Sequence, residues 1–351
     1  MDYFQINFLL VVVYAVLVFA IGKQLRLNTR QIDGTFAMIV AIQLFVVYTW
    51  VDTWSIPDHG NYEAYFDNVA YYSWKELLTQ YDIVNNASIE IGYLALMKLV
   101  SVFGGGYRWL LAIVYATLIA CYWHTFKKYS PYVVISILLF FLTNFSQSRY
   151  VVRQHLAVAI CLLAYPYIID RKLLPFLAVN MIAFLIHRVS ILFFPVYFLY
   201  GFVNQKNILW VSIIILFISV SSYFVISNYL SVLTNRYSME NRRQTILPVF
   251  SNGMILASYL YLMGTDAIKD GINKLISILL ILTVIFCIAS GNGGRAALFY
   301  STAGLIAIPL AIKKCQDKNL GIIYGGAVLL SYFVITFFVE YQYPEWTFIF
   351  M

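Results

Sequence analysis

Two arginines stand one turn apart at the start of an otherwise apolar stretch, "SRYVVRQHLAVAICLLAYPYII", residues 148–169. Read as one helix, the stretch puts Arg149 and Arg153 at i and i+4, on a single face. Guanidinium is planar, permanently charged and able to make paired hydrogen bonds to phosphate or carboxylate. Two such groups at the positive end of a helix dipole would hold an anion at a membrane surface. Snorkelling towards lipid headgroups is the other use open to them, and it suits Arg149 better than the deeper Arg153.

A second chemistry-bearing group is "FLIHRVSIL", with His187, Arg188 and Ser190. Histidine titrates near neutral pH and can take a proton from a hydroxyl, or simply hydrogen-bond one in a turn. "PDHGNYEAYFD" supplies Asp58, His59, Tyr62, Glu63 and Tyr65, and "SIEIGYLALM" adds Glu90 and Tyr93. Asp58 is a carboxylate able to bind or deprotonate a sugar hydroxyl, while ordinary loop roles stay open for all of these residues. His59 reads as solvated in a loop, and His155 as lying off the Arg153 face. "SGNGGRAALFYST" sets Arg295 after glycines that allow close backbone approach, but the spacing is not that of a nucleotide-binding loop. Arg236, Arg242 and Arg243 share "NRYSMENRRQ", where headgroup contact or a solvated face competes with ligand binding. The carboxylates lack metal-like spacing, and the four cysteines sit in or beside apolar runs, so no metal and no cofactor is expected.

The elements that must position these groups are membrane helices. The chain is 62% hydrophobic and only 11% charged, which excludes a soluble domain of 351 residues. Apolar runs fall near 4–22, 34–51, 107–125, 131–148, 150–169, 172–187, 189–203, 207–226, 249–265, 274–290, 296–312 and 319–339. A shorter run, 89–103, reads as interfacial. The expected fold is therefore all-α and polytopic, a single membrane domain over residues 1–351 with about 12 transmembrane helices. Outer loops are expected at 52–106, with interfacial helices, and at 227–249. The first run lacks a basic start and a cleavage site, so it reads as a retained span.

Charge placement orients the spans. With 89–103 not crossing, one side collects thirteen Lys and Arg residues, ten of them Lys. The other side collects ten, eight of them Arg, together with eleven of the sixteen acidic residues. The Lys-rich side is the cytoplasm by the positive-inside rule, and both termini then lie outside. The net charge of +7 is thereby spent on topology and on outer arginines, and nucleic acid is not an expected partner.

Taken in order, Asp58 and Tyr62, "EIGY", "VRQHLAVAI", "LIHRVSILFFPVYFL" and "RAALFYSTAGLIAIPL" resemble the EpsG-like branch of bacterial polysaccharide polymerases, itself similar to Wzy-type O-antigen, capsule and exopolysaccharide polymerases. The resemblance implies a multi-span glycosyltransferase of the bacterial inner membrane, related to other lipid-linked-sugar transferases. Such an enzyme joins oligosaccharide repeat units carried on polyprenyl pyrophosphate at the extracytoplasmic face. Its partners would be that lipid-linked oligosaccharide, membrane lipid, and a chain-length regulator and flippase of the same pathway. Arg153, His187 and Asp58 would be catalytic. Arg149, Arg295, Arg188, Tyr62, Arg242, Arg243, Glu90 and Tyr93 would bind pyrophosphate or sugar. A flippase or anion transporter, and another membrane transferase such as an acyltransferase or glycan ligase, are the competing readings. Against a carrier, no repeated halves are evident.

Overall fold

A computed structural model describes residues 3–50, 59–79, 89–217, 246–289, 296–315 and 317–342, and every regular element among them is helical. The expected sites Asp58, Arg236, Arg242, Arg243 and Arg295, and most of the 227–249 loop, lie outside the described residues. The helices are α1 (Tyr3–Gln24), α2 (Thr29–Thr49), α3 (His59–Tyr71), α4 (Trp74–Thr79), α5 (Ile91–Val102), α6 (Tyr107–Tyr129), α7 (Val133–Tyr150), α8 (Val152–Leu162), α9 (Tyr165–Ile169), α10 (Leu173–Ile186) and α11 (Pro195–Phe202). After them come α12 (Ile208–Phe217), α13 (Ile246–Met263), α14 (Ile272–Ala289), α15 (Leu298–Ser301), α16 (Gly304–Lys314) and α17 (Lys318–Gln342), with 3-10 turns at Arg188–Phe193 and Gly264–Ile268.

Among the described residues, α1, α2 and α6 are long and apolar enough to cross a bilayer. Other expected spans are broken into shorter apolar helices. The run 150–169 becomes α8 and α9, and 189–203 becomes a 3-10 turn followed by α11, which has proline in its first turn. The interfacial run 89–103 is a helix of 12 residues, about 18 Å long and too short for a hydrocarbon core of about 30 Å.

The chain divides into two compact units. The first comprises residues 1–128, 145–164 and 177–191; the second comprises 129–144, 165–176 and 192–351. In the first unit, α2 starts at a capping box in which Asn28 and Gln31 satisfy each other's backbone N–H groups. Its residues Ile32, Phe36, Val40, Leu44 and Tyr48 recur every fourth position and form one buried stripe. Polar contacts lock neighbouring helices: Gln43 donates to Asn7 of α1 (2.9 Å), and the Trp123 indole donates to Ala37 O (2.7 Å). In the second unit, α13 packs on α14 and α16, and Ser136 of α7 donates to Leu305 O (2.7 Å) in α16.

The break between α7 and α8 matters most for the site. Val151 leaves helical geometry (φ −99°, ψ 56°) within a Val151–Val152 pair whose β-branched side chains fit a helix less well. A helix end inside an apolar unit needs partners for its last carbonyls. Tyr48 donates to Phe145 O (3.0 Å), the Tyr115 hydroxyl lies 3.5 Å from Ser148 O, and His59 Nε2 lies 2.6 Å from Arg149 O. Tyr115 and His59 thus meet carbonyls of the last turn, and Tyr48 bonds the turn before it.

Candidate functional site

The break corrects the single-helix reading of residues 148–169. Arg149 ends α7, at the negative end of that helix, and Arg153 lies in the first turn of α8, at the positive end. The two no longer share a helix face. Arg149 is half-buried, with its guanidinium 5.9 Å from the centre of the Phe145 ring. Arg153 turns to a cluster drawn from α3, α5 and the end of α10.

Glu90 is the hub of that cluster. It is the N-cap residue of α5, and its carboxylate takes Arg153 Nη1 on Oε2. Oε1 accepts the backbone N–H of Arg188 (3.1 Å) and lies 3.0 Å from His187 Nδ1, off the ideal line of the ring N–H. Arg153 Nε donates to Tyr62 OH (3.1 Å), and its guanidinium carbon is 5.2 Å from the centre of the Tyr62 ring. Tyr62 and Tyr93 pack with ring centres 6.1 Å apart; the Tyr93 hydroxyl is buried and has no partner among the described residues. The side chains of Arg153, Glu90 and His187 are largely buried, keeping 16%, 10% and 17% of their surface.

Burial pushes the Glu90 carboxyl towards neutrality. His187, the Arg153 charge and the Arg188 N–H outweigh burial and hold it down to about 2. The carboxylate is therefore ionised at neutral pH.

Local sequence explains the assembly. In α3, His59, Tyr62, Phe66 and Val69 form one buried stripe, which delivers His59 and Tyr62 together. Lys98 of α5 is buried and donates to Ala70 O (2.8 Å), capping the end of α3. Gly92 lets the start of α5 meet the end of α10: a Cβ there would lie 2.5 Å from Leu185 O. That approach carries Glu90 to His187 and Arg188. His187 follows the last turn of α10, its N–H on Ala183 O (2.8 Å), and its carbonyl accepts Ser190 N–H (2.9 Å). The Ser190 hydroxyl is buried without a partner among the described residues.

The expected residues Arg153, His187, Glu90, Tyr62 and Tyr93 thus come together. Arg188 joins through its backbone while its side chain stays exposed. His59 was expected in solvent; instead it is fully buried, because Nε2 meets the Arg149 carbonyl and Tyr107 OH lies 3.4 Å from Nδ1. Its position three residues before Tyr62 and seven before Phe66 was the signal for the buried face. His155 is also buried, with Nδ1 3.4 Å from Val151 O and Nε2 unpartnered among the described residues.

Chemically, the cluster offers an imidazole beside a carboxylate and a guanidinium held by the same carboxylate. Imidazole and guanidinium are the groups that proton transfer and anion binding call for. No curated protein and no solved structure matches the chain. The model of one protein family, described as the EpsG family, matches residues 34–350.

Proposed function

This chain belongs to the EpsG family, and from that premise we propose that it is a membrane polysaccharide polymerase. It transfers oligosaccharide from polyprenyl pyrophosphate to the hydroxyl of a second lipid-linked repeat unit, on the Arg-rich, extracytoplasmic face of the bacterial inner membrane. The observation that carries this reading is the Glu90 bridge between His187 and Arg153.

His187 takes the proton of the attacking hydroxyl as the new glycosidic bond forms. Glu90, beside Nδ1, orients the ring and stabilises the imidazolium that results. The bond from the anomeric carbon to the phosphate oxygen breaks, and its electron pair leaves with the pyrophosphate. Arg153 uses N–H groups left over from Glu90 and Tyr62 to hold that growing negative charge, which binds the transition state more tightly than the ground state. Tyr62 fixes the guanidinium plane. Arg149 adds positive potential at the same turn, and Asp58 and Arg295 are further candidates for sugar and phosphate contacts. Twelve spans with a lateral opening for the prenyl tail complete the proposed architecture.

The test is a ladder assay with purified protein and one defined polyprenyl-pyrophosphate repeat unit. Wild type is expected to give a ladder of multiples. Arg153→Ala should lower its rate by about 10²–10³-fold, and Arg153→Lys should recover little, because a point charge cannot reproduce the planar fork. Translocation of the intact donor without a ladder would favour a flippase instead. Full activity in Arg153→Ala would remove this residue from the mechanism.

A further inference from the structure

The second unit holds a cavity of about 530 Å³ that the polymerase chemistry does not use. Its lining includes Arg171, Tyr200, Gly201, Asp270 and Lys274. These residues come from turns and helix ends that the charge count assigns to the Lys-rich side, where no donor pyrophosphate is expected.

Both cations are held in place. Arg171 follows α9 in a left-handed backbone conformation (φ 58°). Its guanidinium carbon lies 4.0 Å from the centre of the Tyr197 ring, Nη1 donates to Tyr197 O, and the Tyr197 hydroxyl donates back to Arg171 O (2.8 Å). Nη2 occupies the place where a side chain at position 201 would begin: a Cβ on Gly201 would lie 2.6 Å from it. Lys274 has 9% of its side-chain surface exposed, with Nζ 4.8 Å from the centre of the Tyr200 ring. Tyr200 is itself fixed, its hydroxyl accepting Gly271 N–H (2.7 Å).

Of the nearby carboxylates, Asp270 belongs to the lining. Asp170 pairs with Lys172 (3.2 Å), and Asp270 lies 3.0 Å from Lys274 Nζ. The Asp270 side chain is 86% exposed, so the buried ammonium is answered by a loosely held, hydrated carboxylate. A phosphate, whose oxygens can accept from both Arg171 and Lys274, can displace it at small cost. Phe198 and Phe202, on α11, which also carries Tyr200 and Gly201 of the lining, are exposed apolar residues suited to acyl chains.

We propose that this cavity is a phosphate-binding site on the Lys-rich side, taking a phosphate mono- or diester between Arg171 and Lys274. The phosphate belongs either to an anionic lipid headgroup of that leaflet or to a soluble phosphate compound; the recognition chemistry is the same.

Full-length protein in neutral detergent should be examined by native mass spectrometry and thermal melting with three probes: phosphatidylglycerol, a diacylglycerol with the same tails and no phosphate, and inorganic phosphate. Phosphatidylglycerol is expected to bind in preference to diacylglycerol. Arg171→Gln and Lys274→Met should each weaken that binding about tenfold. Lys172→Gln, outside the lining, should leave it unchanged. Gly201→Val keeps every charge but displaces the guanidinium, so it should weaken binding too, whereas general attraction to a basic surface would survive. Melting without ligand checks that each variant is folded. Stabilisation by inorganic phosphate that depends on Lys274 identifies a soluble ligand, and its absence beside lipid binding identifies the headgroup; both support the site. Equal binding of phosphatidylglycerol and diacylglycerol, together with no Lys274-dependent stabilisation by inorganic phosphate, overturns it. So does wild-type phosphatidylglycerol binding in Arg171→Gln, Lys274→Met and Gly201→Val.

Discussion

At Glu90, one carboxylate serves two partners, so its removal costs more than a single contact. Replacing it by glutamine keeps the shape and deletes the charge. The ladder rate of Glu90→Gln should fall by about 10²-fold or more, with little change in substrate KM, since the ring loses its orienting anion and Arg153 its anchor. The pH dependence has a definite sign. The carboxyl sits at about 2 in the folded protein, below its ordinary value of 4.5. Its stabilising contribution is therefore complete above 4.5 and lost as pH falls from there through about 2. Melting curves between pH 7 and pH 3 should show wild type losing stability below 4.5 more steeply than Glu90→Gln. The types of Arg153 and His187 were legible in the sequence because charged and titratable groups inside apolar runs are costly and stand out. Glu90 was legible as a candidate sugar- or pyrophosphate-binding residue, but not as the carboxylate that joins Arg153 to His187. Its partners lie 63 and 97 residues further along the chain, a distance that no local pattern encodes.

Helix ends, more than helix lengths, build this site. The sequence of residues 148–169 has no Gly or Pro near Val151, so periodicity predicts one continuous helix there. The break is supported by tertiary partners: Tyr115 and His59 meet the Ser148 and Arg149 carbonyls at the end of α7. His59→Ala should leave the Arg149 carbonyl without its donor, at a cost of about 1–3 kcal/mol, visible as a lower Tm in detergent. The same variant should lower kcat, because the turn that carries Arg153 loosens; His59→Gln, which can still donate, should recover part of both. Gly92 makes a second test. A methyl group at this position meets main chain rather than a movable side chain, so Gly92→Ala should cost about 1–3 kcal/mol and push Glu90 away from His187. Assays should then find polymer formation more impaired than the Tm shift alone explains. An unchanged rate in Gly92→Ala would show that the α5–α10 approach does not set the spacing.

The Lys and Arg count assigns the turns of this chain to two sides. In the first unit, His59, Glu90, Arg149, Arg153 and His187 meet, all from segments that the Lys and Arg count puts on one side. In the second unit, Arg171, Tyr200 and Gly271 meet, and Asp266 pairs with Lys269 and Lys314, all from segments assigned to the other side. Single cysteines test the assignment in a background lacking Cys121, Cys161, Cys287 and Cys315, all of which are free thiols. Phe103→Cys, at a position 86% exposed, should react with a membrane-impermeant maleimide on intact cells. Lys172→Cys should react only after permeabilisation; the reverse pattern would invert the topology. The family and the helical class could be read from composition and short motifs, whereas the division into two units rests on long-range packing that apolar runs of similar character do not distinguish.

The crossing at Gly92 has one more implication. Main-chain atoms gauge it, and their separation is indifferent to which apolar side chains face the lipid. Exchanging those outward residues to suit a thicker or thinner bilayer would then leave the reach from carboxylate to imidazole as it is. Turnover measured in short-chain and long-chain vesicles should differ little, and the catalytic machinery is in that sense portable between membranes.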